Sequence, residues 1–416
     1  MDGIDAIWRV ESPRLIAGLA RFCRGDLQKA EDLAQEAMLQ ALETWPQSGI
    51  PDNPGGWLMT TAKNRAIDQA RRAQLFNRKA DEIGRDLERR GAFESPDAAE
   101  RLDNPIDDDL LRLIFTTCHP VLTLDSRVAL TLRMLGGLKT EEIARAFIVP
   151  SSTIGQRISR AKKQLAENDV PFEVPAADEL PERLASVLGV IYLIFNEGYT
   201  ATSGDDWLRQ DLCEDAMRLG RVLAELTPKE PEVHSLVALM ELQASRNQAR
   251  VGDDGEAVLL LEQDRSRWDR LLIDRGLAEL EVARGLSGGR PGPYELQAAI
   301  AACHAVAEAP EETDWPRIAS LYGALSVLTA SPVVELNRAV AVGMAQSPEA
   351  GLAIVEQVED HPDLRGYHLL PAVRGDLLAR LDRGAEAAGE FRRAAEMTQN
   401  EREREVLLAR ADAAAD

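Results

Sequence analysis

Residues 139–165 contain two helical patterns separated by a tight break, and this arrangement constrains the fold more than any other stretch. Thr140 is placed to cap the first helix, and two acids follow in its first turn, where the helix dipole favours negative charge. Pro150 disfavours helical geometry in the residue before it, so a second helix is predicted to start after it, with Ser151 or Ser152 as its cap. The pattern predicts a helix-turn-helix.

The second helix of this pair has an apolar face and a basic face. The side opposite the apolar face carries small polar donors first and cations further along, the order that suits base edges and then phosphates. An ordinary helical hairpin with a solvated basic face remains the alternative. The predicted buried positions are Ile154, Ile158, Ala161 and Leu165. The predicted DNA-facing residues are Ser151, Ser152, Thr153, Gln156, Arg157, Arg160 and Lys163, with Lys162 on the same exposed side.

The acidic charge of the chain is confined to its C-terminal part. Residues 1–166 contain 24 Lys+Arg and 24 Asp+Glu, so the other 24 basic and 46 acidic residues, and the whole net charge of −22, fall in residues 167–416. A neutral segment with a basic helix followed by a strongly acidic segment indicates two different tasks on one chain.

Composition narrows the classes of protein to which this chain can belong. The four cysteines are spread along the chain with no metal-ligand spacing, so we predict reduced thiols, no metal and no cofactor. The N-terminus lacks the apolar run of a signal peptide, and the longest apolar stretch, near residues 184–195, is too short to span a bilayer. These features predict a cytoplasmic protein with no membrane contact.

Helical periodicity dominates the chain and strand-like alternation is absent, so the predicted fold class is all-α. Breaks in composition divide it into helical segments at 5–75 and 107–166, a charged linker at 76–106, an acidic proline-rich linker at 167–181, and an acidic all-helical extension at 182–416. Residues Gly375, Ala387, Phe391 and Ala394 match the small and aromatic positions of a tetratricopeptide repeat (TPR), with a fainter copy at 338–357, so the extension is predicted to be TPR-like towards its end. A generic helical array remains the alternative.

Two helices are predicted in the first segment. The first, at residues 30–45, has an apolar stripe of Leu33, Ala37, Ala41 and Leu42, with Glu31 among the polar residues outside it. The second begins near Trp57 and has a stripe of small residues that allows close packing. Between residues 63 and 79 it carries six basic residues and one acid, a cationic strip sufficient for phosphate contact.

Three segments in this order resemble the bacterial extracytoplasmic function (ECF) class of RNA polymerase sigma factors, over residues 5–166. The residues that carry the resemblance are Glu31–Glu36, Gly56–Leu58 with Asn64–Asp68 and Arg71–Arg72, and Gly137–Ala144 with the helix that follows. The segments Tyr192–Tyr199, Arg209–Cys213 and Gln263–Trp268 resemble the ECF subfamily that carries a long TPR-type extension.

The resemblance implies a sigma factor that is not an enzyme. Its partners would be core RNA polymerase, through the β′ clamp and the β flap, and promoter DNA. The first segment would be sigma region 2 and the second region 4, whose helix-turn-helix would read the −35 element. The implied polymerase-binding residues are Asp32, Gln35 and Glu36. The implied −10 residues are Lys63, Asn64, Arg65, Asp68, Arg71 and Arg72.

One departure from the family concerns the segment that melts the −10 element. Family members often have aromatic residues there, whereas residues 59–64 of this chain have none, and Trp57 is expected either in the core or as a wedge. The extension is expected to regulate activity by intramolecular contact with the sigma segments, or by receiving a protein or ligand signal.

Two other functions are compatible with the pattern. One is a helix-turn-helix regulator with a TPR signal receptor that binds duplex DNA without polymerase. The other is an enzyme with its active site in residues 180–290, although no Walker A, G-x-S-x-G or H-E-x-x-H sequence occurs.

Overall fold

A computed structural model shows an all-α protein. In the ranges that it describes, the regular structure consists of α-helices and short 3-10 helices without a β-strand, so the predicted fold class is confirmed. The described residues are 2–83, 105–147, 149–199, 209–252, 258–398 and 400–415.

The chain divides into two compact units, Met1–Val190 and Ile191–Asp416, and the division falls within one helix, α8. The helices of the first unit are α1 (Asp2–Phe22), α2 (Leu27–Ser48), α3 (Pro54–Ile83), α4 (Pro105–Thr117), α5 (Leu124–Met134), α6 (Thr140–Ala146), α7 (Ser151–Glu167) and the first half of α8 (Leu180–Tyr199). Most of the charged linker predicted at 76–106 lies outside the described residues, and α3 continues beyond residue 75 to Ile83.

The second unit continues from α8 with ten further helices among its described residues. They are α9 (Gln210–Leu226), α10 (Pro231–Ala244), α11 (Arg270–Ser287), α12 (Pro293–Val306), α13 (Trp315–Thr329), α14 (Pro332–Ala345), α15 (Pro348–Val358), α16 (Leu369–Ala379), α17 (Gly384–Met397) and α18 (Glu401–Ala415). Short 3-10 helices, including Asn247–Ala249 and Arg265–Arg267, lie between α10 and α11.

Helices α1, α2 and α3 pack together around fully buried leucines. Leu19, Leu33 and Leu58 contribute one large side chain from each helix, and alanines at Ala37 and Ala62 let the backbones approach closely. The apolar stripe of α2 differs from the predicted one at two positions. Leu42 is 38% exposed, whereas Glu31 is 5% exposed and lies on the buried side.

The helix-turn-helix forms where the pattern predicts it, with different capping. Lys139 occupies the cap position of α6, and its backbone N–H donates to the Glu142 carboxylate at 2.7 Å. Pro150 occupies the cap position of α7, so Thr140 and Ser151 are the first residues of their helices and the predicted side-chain caps do not form. Pro150 has φ −59°, a value fixed by its ring that already suits the entry into a helix.

Helices α14 to α18 pack in chain order around one apolar core. Gly375 on α16 faces the ring of Phe391 on α17 so closely that a Cβ at residue 375 would lie 2.9 Å from ring carbons. Phe391 is 1% exposed, and Ala387 and Ala394 beside it are fully buried. The small and aromatic positions therefore serve close helix packing, and their assignment to a true TPR stays a prediction.

Replacing Gly375 with alanine tests this contact. Because the added methyl group overlaps a buried ring, Gly375→Ala should destabilise the second unit by about 1–3 kcal/mol. Gly389, on α17, is the matched control, since a Cβ there meets nothing within 4 Å. Gly389→Ala should stabilise by about 0.5–1 kcal/mol through helix propensity. Thermal unfolding of the full chain measures both, and equal effects of the two substitutions would contradict the predicted contact.

Candidate functional site

Helix α7 buries one face and presents the other to solvent. The four predicted apolar residues, Ile154, Ile158, Ala161 and Leu165, are its buried residues, as the spacing indicates. The predicted DNA-facing residues lie together on the other side. Ser151, Ser152, Gln156, Arg160 and Lys163 are exposed, and Thr153 and Arg157 are half-buried.

A polar cleft of about 390 Å³ separates this face of α7 from the start of α5. Arg157 crosses it, because its guanidinium contacts the Asp125 carboxylate at 2.9 Å. The Asp125 side chain is 63% exposed, so solvent screens this ion pair and its net contribution to stability is small. An anionic ligand at the cleft could therefore displace Asp125 at little cost. The lining residues are Thr123, Asp125, Ser126, Thr153, Gln156, Arg157, Arg160 and Gln164.

The predicted polymerase-binding and −10 residues form one continuous surface on α2 and α3. Glu36 accepts from Arg65 at 3.4 Å and from Gln69 at 3.2 Å, which joins the two helices across their exposed edges. Asp32 is exposed and accepts from Gln28 at 2.9 Å.

The remaining residues predicted for −10 recognition also lie on α3. Lys63, Asn64, Asp68 and Arg71 are exposed on α3. Arg72 lies in α3, and its side chain falls outside the described ones. Lys63, Asn64, Asp68 and Arg71 thus lie along the exposed side of α3.

Trp57 is half-buried at the start of α3. Its ring meets the edge of Trp45 on α2, with the ring centroids 5.4 Å apart and the planes at 63°. Trp45 is 3% exposed, so it is the core member of the pair. Trp57 retains an exposed part beside the loop that joins α2 to α3.

A buried ion triad joins the two halves of the first unit. The Glu31 carboxylate on α2 contacts the Arg133 guanidinium of α5 at 2.6 Å and the Lys162 ammonium of α7. The Glu31 and Lys162 side chains are 6% and 8% exposed. Gln28 and Gln35 add hydrogen bonds to Lys162 and Glu31, at 3.0 and 2.8 Å. Lys162 therefore does not lie on the exposed basic face of α7, where the spacing in the sequence predicts it.

Opposing effects set the pKa of Glu31. Burial by itself would raise it, but the charges and hydrogen bonds of Lys162 and Arg133 outweigh burial, so the pKa lies below its ordinary value of 4.5. Glu31 is consequently ionised at neutral pH, and the triad is a charged, hydrogen-bonded contact between α2, α5 and α7.

Further polar contacts support this junction. Arg9 on α1 pairs with Glu142 on α6 at 3.2 Å, and Arg21 on α1 pairs with Asp109 on α4 at 3.4 Å. Burial raises the pKa of Asp109 despite the neighbouring arginines. These pairs are partly exposed, so the Glu31 triad is the buried electrostatic contact of the junction.

The start of α8 belongs to the first unit. Arg183 donates to the main-chain oxygen of Phe115 at 2.9 Å, and Ser186 donates to that of Cys118 at 2.7 Å. Arg127 on α5 donates to the Ser186 hydroxyl at 2.9 Å. The predicted start of the extension at residue 182 thus falls in a helix that begins at Leu180 and contacts α4 and α5.

In the ranges covered by the structure, no three His, Cys, Asp or Glu residues are grouped so that they could hold a metal ion. Burial, with the charges of Arg183 and Arg127, lowers the pKa of His119 to about 4, so this imidazole is neutral at pH 7. Within the same ranges, no helix combines the length and the apolar character needed to cross a bilayer.

The triad was missed from the sequence although it left a signal. Glu31 lies four residues after Leu27 and three before Ala34, both buried, so it falls on the apolar face of α2. Lys162 has the same relation to Ile158 and Leu165 on α7. A charged residue within an apolar stripe indicates a buried partner of opposite charge.

Comparison with known protein families agrees with this arrangement. The family described as Sigma-70 region 2 matches residues 11–76, and the family described as Sigma-70, region 4 matches residues 112–165. The ECF RNA polymerase sigma-E factor of Escherichia coli strain K12 is 32% identical over 149 residues, which cover 34% of this chain and 74% of that protein. The RNA polymerase sigma-H factor of Pseudomonas aeruginosa is 31% identical over 159 residues, covering 36% of this chain and 78% of that protein.

The two matched regions and these relatives define a sigma-type transcription protein. The chain belongs to the ECF RNA polymerase sigma factor family and carries an additional C-terminal region.

The additional region has relatives of its own. Residues 183–284 match a family of unknown function, DUF6596. An uncharacterized protein of Rhizobium meliloti (strain 1021) is 44% identical over 390 residues, which cover 93% of this chain and 90% of that protein, so its similarity includes the extension. No solved structure matches the chain.

The triad predicts a specific effect of Glu31→Gln. Removing the carboxylate charge leaves the buried Lys162 side chain and the half-buried Arg133 without their anion, which should cost about 3–5 kcal/mol at the junction. Hydrogen–deuterium exchange of the full chain should show faster exchange in α2 and α7. Asp32→Asn, on the exposed side of α2, is the matched control and should leave exchange unchanged.

The effect of Glu31→Gln should depend on pH. Because the folded-state pKa of Glu31 is lowered, its contribution is present above 4.5 and is lost as the pH falls through the lowered value. The difference between wild type and Glu31→Gln, corrected for intrinsic exchange rates, should therefore shrink below pH 4.5. A difference that persists unchanged at lower pH would show that the charge of Glu31 is not responsible.

Proposed function

We propose that this protein binds core RNA polymerase, directs promoter recognition and melting, and has its activity regulated by the fused helical extension. The observation that carries the proposal is the common exposed surface of α2 and α3 together with the polar, basic face of α7. Family membership supports the general role, and the exposed residues support the assignment of individual contacts.

Helix α2 is the proposed docking surface for the β′ clamp. Asp32 is exposed and Gln35 and Glu36 are half-buried on this helix, and their polar character suits a contact that forms and dissociates. Helix α3 continues this surface with five exposed residues proposed for the −10 element. Lys63 and Arg71 would contact the backbone of the unpaired strand, and the exposed part of Trp57 offers a ring on which a base could stack.

Helix α7 is the proposed reader of the −35 element. Ser151, Ser152 and Gln156 are exposed at its N-terminal half, where recognition helices contact base edges. Arg160 and Lys163 follow at positions suited to phosphates. Arg157 would reach DNA by releasing its exposed partner Asp125 and pairing with a base or a phosphate. A contact between the helix-turn-helix segment, residues 107–166, and the β flap is also part of the proposal.

The Glu31 triad implies that the first unit has to open. The −10 and −35 elements are separated by about 25 base pairs, or roughly 85 Å of B-DNA at 3.4 Å per base pair. Helices α2 and α7 contact each other through Glu31 and Lys162, so the two segments in this arrangement cannot reach both elements. We infer that the described arrangement is a closed one, and that polymerase binding replaces the triad with its own contacts.

The acidic extension is proposed to inhibit by charge competition. Residues 167–416 carry the whole net charge of −22, and their covalent attachment keeps them at high effective concentration near the basic helices. Carboxylates near a DNA-binding surface oppose the approach of phosphates. Release of the extension by a protein or ligand would then activate transcription.

Run-off transcription with purified core polymerase tests the assignment of α7. Arg157→Ala should lower promoter-specific transcript about tenfold, because a base or phosphate contact of about 1–3 kcal/mol is lost. Asp125→Asn is the paired variant, and it should leave transcript unchanged or raise it, since Arg157 is then released without losing its charge. A fall with both variants would indicate that the ion pair is structural.

The same assay distinguishes the alternative regulator. A helix-turn-helix protein that acts alone would bind duplex operator without polymerase, whereas the proposed function requires core enzyme for promoter-specific binding. Failure to co-purify with core, together with no specific transcript over a panel of upstream sequences, would contradict the proposed function.

Truncation after Val190 tests the role of the extension. This end point keeps the contacts of Arg183 and Ser186 with the first unit, which a chain ending at residue 170 would lose. If the extension masks the sigma segments, promoter output should rise several-fold on truncation, and the rise should diminish at high salt. A fall in output would contradict masking and would indicate that the extension holds polymerase or a required partner.

A further inference from the structure

Arginine side chains gather in the interior of the acidic second unit. They come from the short segment between α10 and α11, where Arg246 follows α10, Arg250 follows the 3-10 helix Asn247–Ala249, and Arg265 starts the next one. Arg250 and Arg265 are 7% and 6% exposed, and Arg246 is half-buried. Burial of several guanidinium groups requires compensation of their charge.

Arg265 is held by neutral acceptors. Its Nη1 donates to the main-chain oxygens of His304 at 2.9 Å and Ala307 at 2.6 Å, and its Nη2 donates to the Thr313 hydroxyl at 3.2 Å. Its Nε has no hydrogen-bond partner. Within the described parts of the chain, Arg265 forms no ion pair with a carboxylate, so these contacts position the guanidinium without neutralising it.

The indole ring of Trp268 lies beside two of the arginines. The guanidinium carbons of Arg265 and Arg246 are 5.0 and 5.9 Å from its ring centroid. Trp268 is 4% exposed, and its Nε1–H has no partner. Arg246 donates to the Tyr199 hydroxyl, which is uncharged, and forms no ion pair with any described carboxylate. Two cations and an indole donor thus converge at one buried place.

His304 adds a third polar atom without a partner at this place. The imidazole is 9% exposed, its Nδ1 is unpaired, and its main-chain oxygen accepts from Arg265. Burial, with the charges of Arg246 and Arg265, lowers the pKa of His304 to about 4. Burial and then the charge of Arg246 lower the pKa of Arg265, against the smaller opposing effect of Glu311 and Glu312. Each group therefore experiences the positive charge of its neighbours.

The cluster offers positive charge and hydrogen-bond donors, and an oxyanion supplies the negative charge and the acceptors that match them. Guanidinium groups pair with carboxylates and phosphates through charge-assisted hydrogen bonds, and arginine is the residue most suited to this task in partly buried sites. The Nε–H of Arg265, the Nε1–H of Trp268 and an N–H of the neutral His304 ring supply donors. Arg246, which is half-buried, connects the cluster to the surface.

We propose that Arg246, Arg265, Trp268 and His304 form a binding site for the oxyanion group of a small metabolite, a carboxylate or a phosphate. The site belongs to the extension alone and does not depend on the proposed transcription function. Tyr199 supports it by orienting Arg246 through its hydroxyl.

Isothermal titration calorimetry of the full chain tests the proposal, with inorganic phosphate in one arm and succinate in the other, at constant ionic strength in chloride buffer. Saturable binding of one of them at a single site is expected, and the arm that binds identifies the anion class. Arg246→Gln should weaken binding tenfold or more. Arg284→Gln is the matched control, because Arg284 lies on α11 of the same unit and pairs with Glu281.

A second variant keeps the proposal testable if the arginine variants fold poorly. Trp268→Phe retains an aromatic ring and removes only the indole N–H, and it should weaken binding several-fold with little change in unfolding temperature. Absence of saturable binding of either anion to wild type would overturn the proposal. The proposal would also be overturned if the Arg246→Gln and Trp268→Phe variants bound the anion as strongly as the Arg284→Gln variant does.

Discussion

The contact between the Glu31 carboxylate, Arg133 and Lys162 determines how the first unit is arranged. It is buried, it joins helices more than 100 residues apart in the chain, and removal of Glu31 leaves the two cations without their anion. Such a contact favours one specific arrangement more than it adds stability, because taking the charges out of water costs much of what their attraction contributes. The segments that are assigned to opposite ends of a promoter are thereby held against each other.

The Glu31 triad limits how a partner could activate the protein under the proposed function. Under the proposed function, an activating partner would supply contacts at α2 or α7 that compensate for the lost triad, so polymerase docking and opening of the first unit would use the same helix. The more exposed pairs, Arg157 with Asp125 and Arg65 with Glu36, exchange partners at little cost. The buried contact thus resists opening, while the surface pairs leave the binding residues available.

The second unit distributes its charge unevenly. Residues 167–416 carry the whole acidic surplus of the chain, yet Arg246, Arg250 and Arg265 gather around Tyr199 and Trp268 in the second unit. Burying the Arg265 guanidinium without a carboxylate partner among the described residues is costly for a structure that only packs helices. The proposed binding of a small anion would account for this cost, and it would give the extension a means of responding to its surroundings.

Much of the candidate site could be predicted from the sequence because helical periodicity is local. The buried face of α7 follows from the spacing of Ile154, Ile158 and Leu165, and the exposed polar side of α7 follows from the same spacing. The helix caps were predicted less well. Thr140 and Ser151 have the better capping side chains, but Lys139 and Pro150 occupy the cap positions. Backbone geometry at Pro150, together with the Glu142 carboxylate, decided those helix starts.

The sequence by itself determined the all-α class, the separation of acidic from neutral segments and the apolar face of α7. These properties depend on residues a few positions apart and on composition. The tertiary structure alone decided that Glu31 and Lys162 are partners, that Arg157 contacts Asp125, and that three arginines meet inside the extension. Those contacts join residues distant in the chain, and the spacing of charges along one helix contains no information about which other helix will face it.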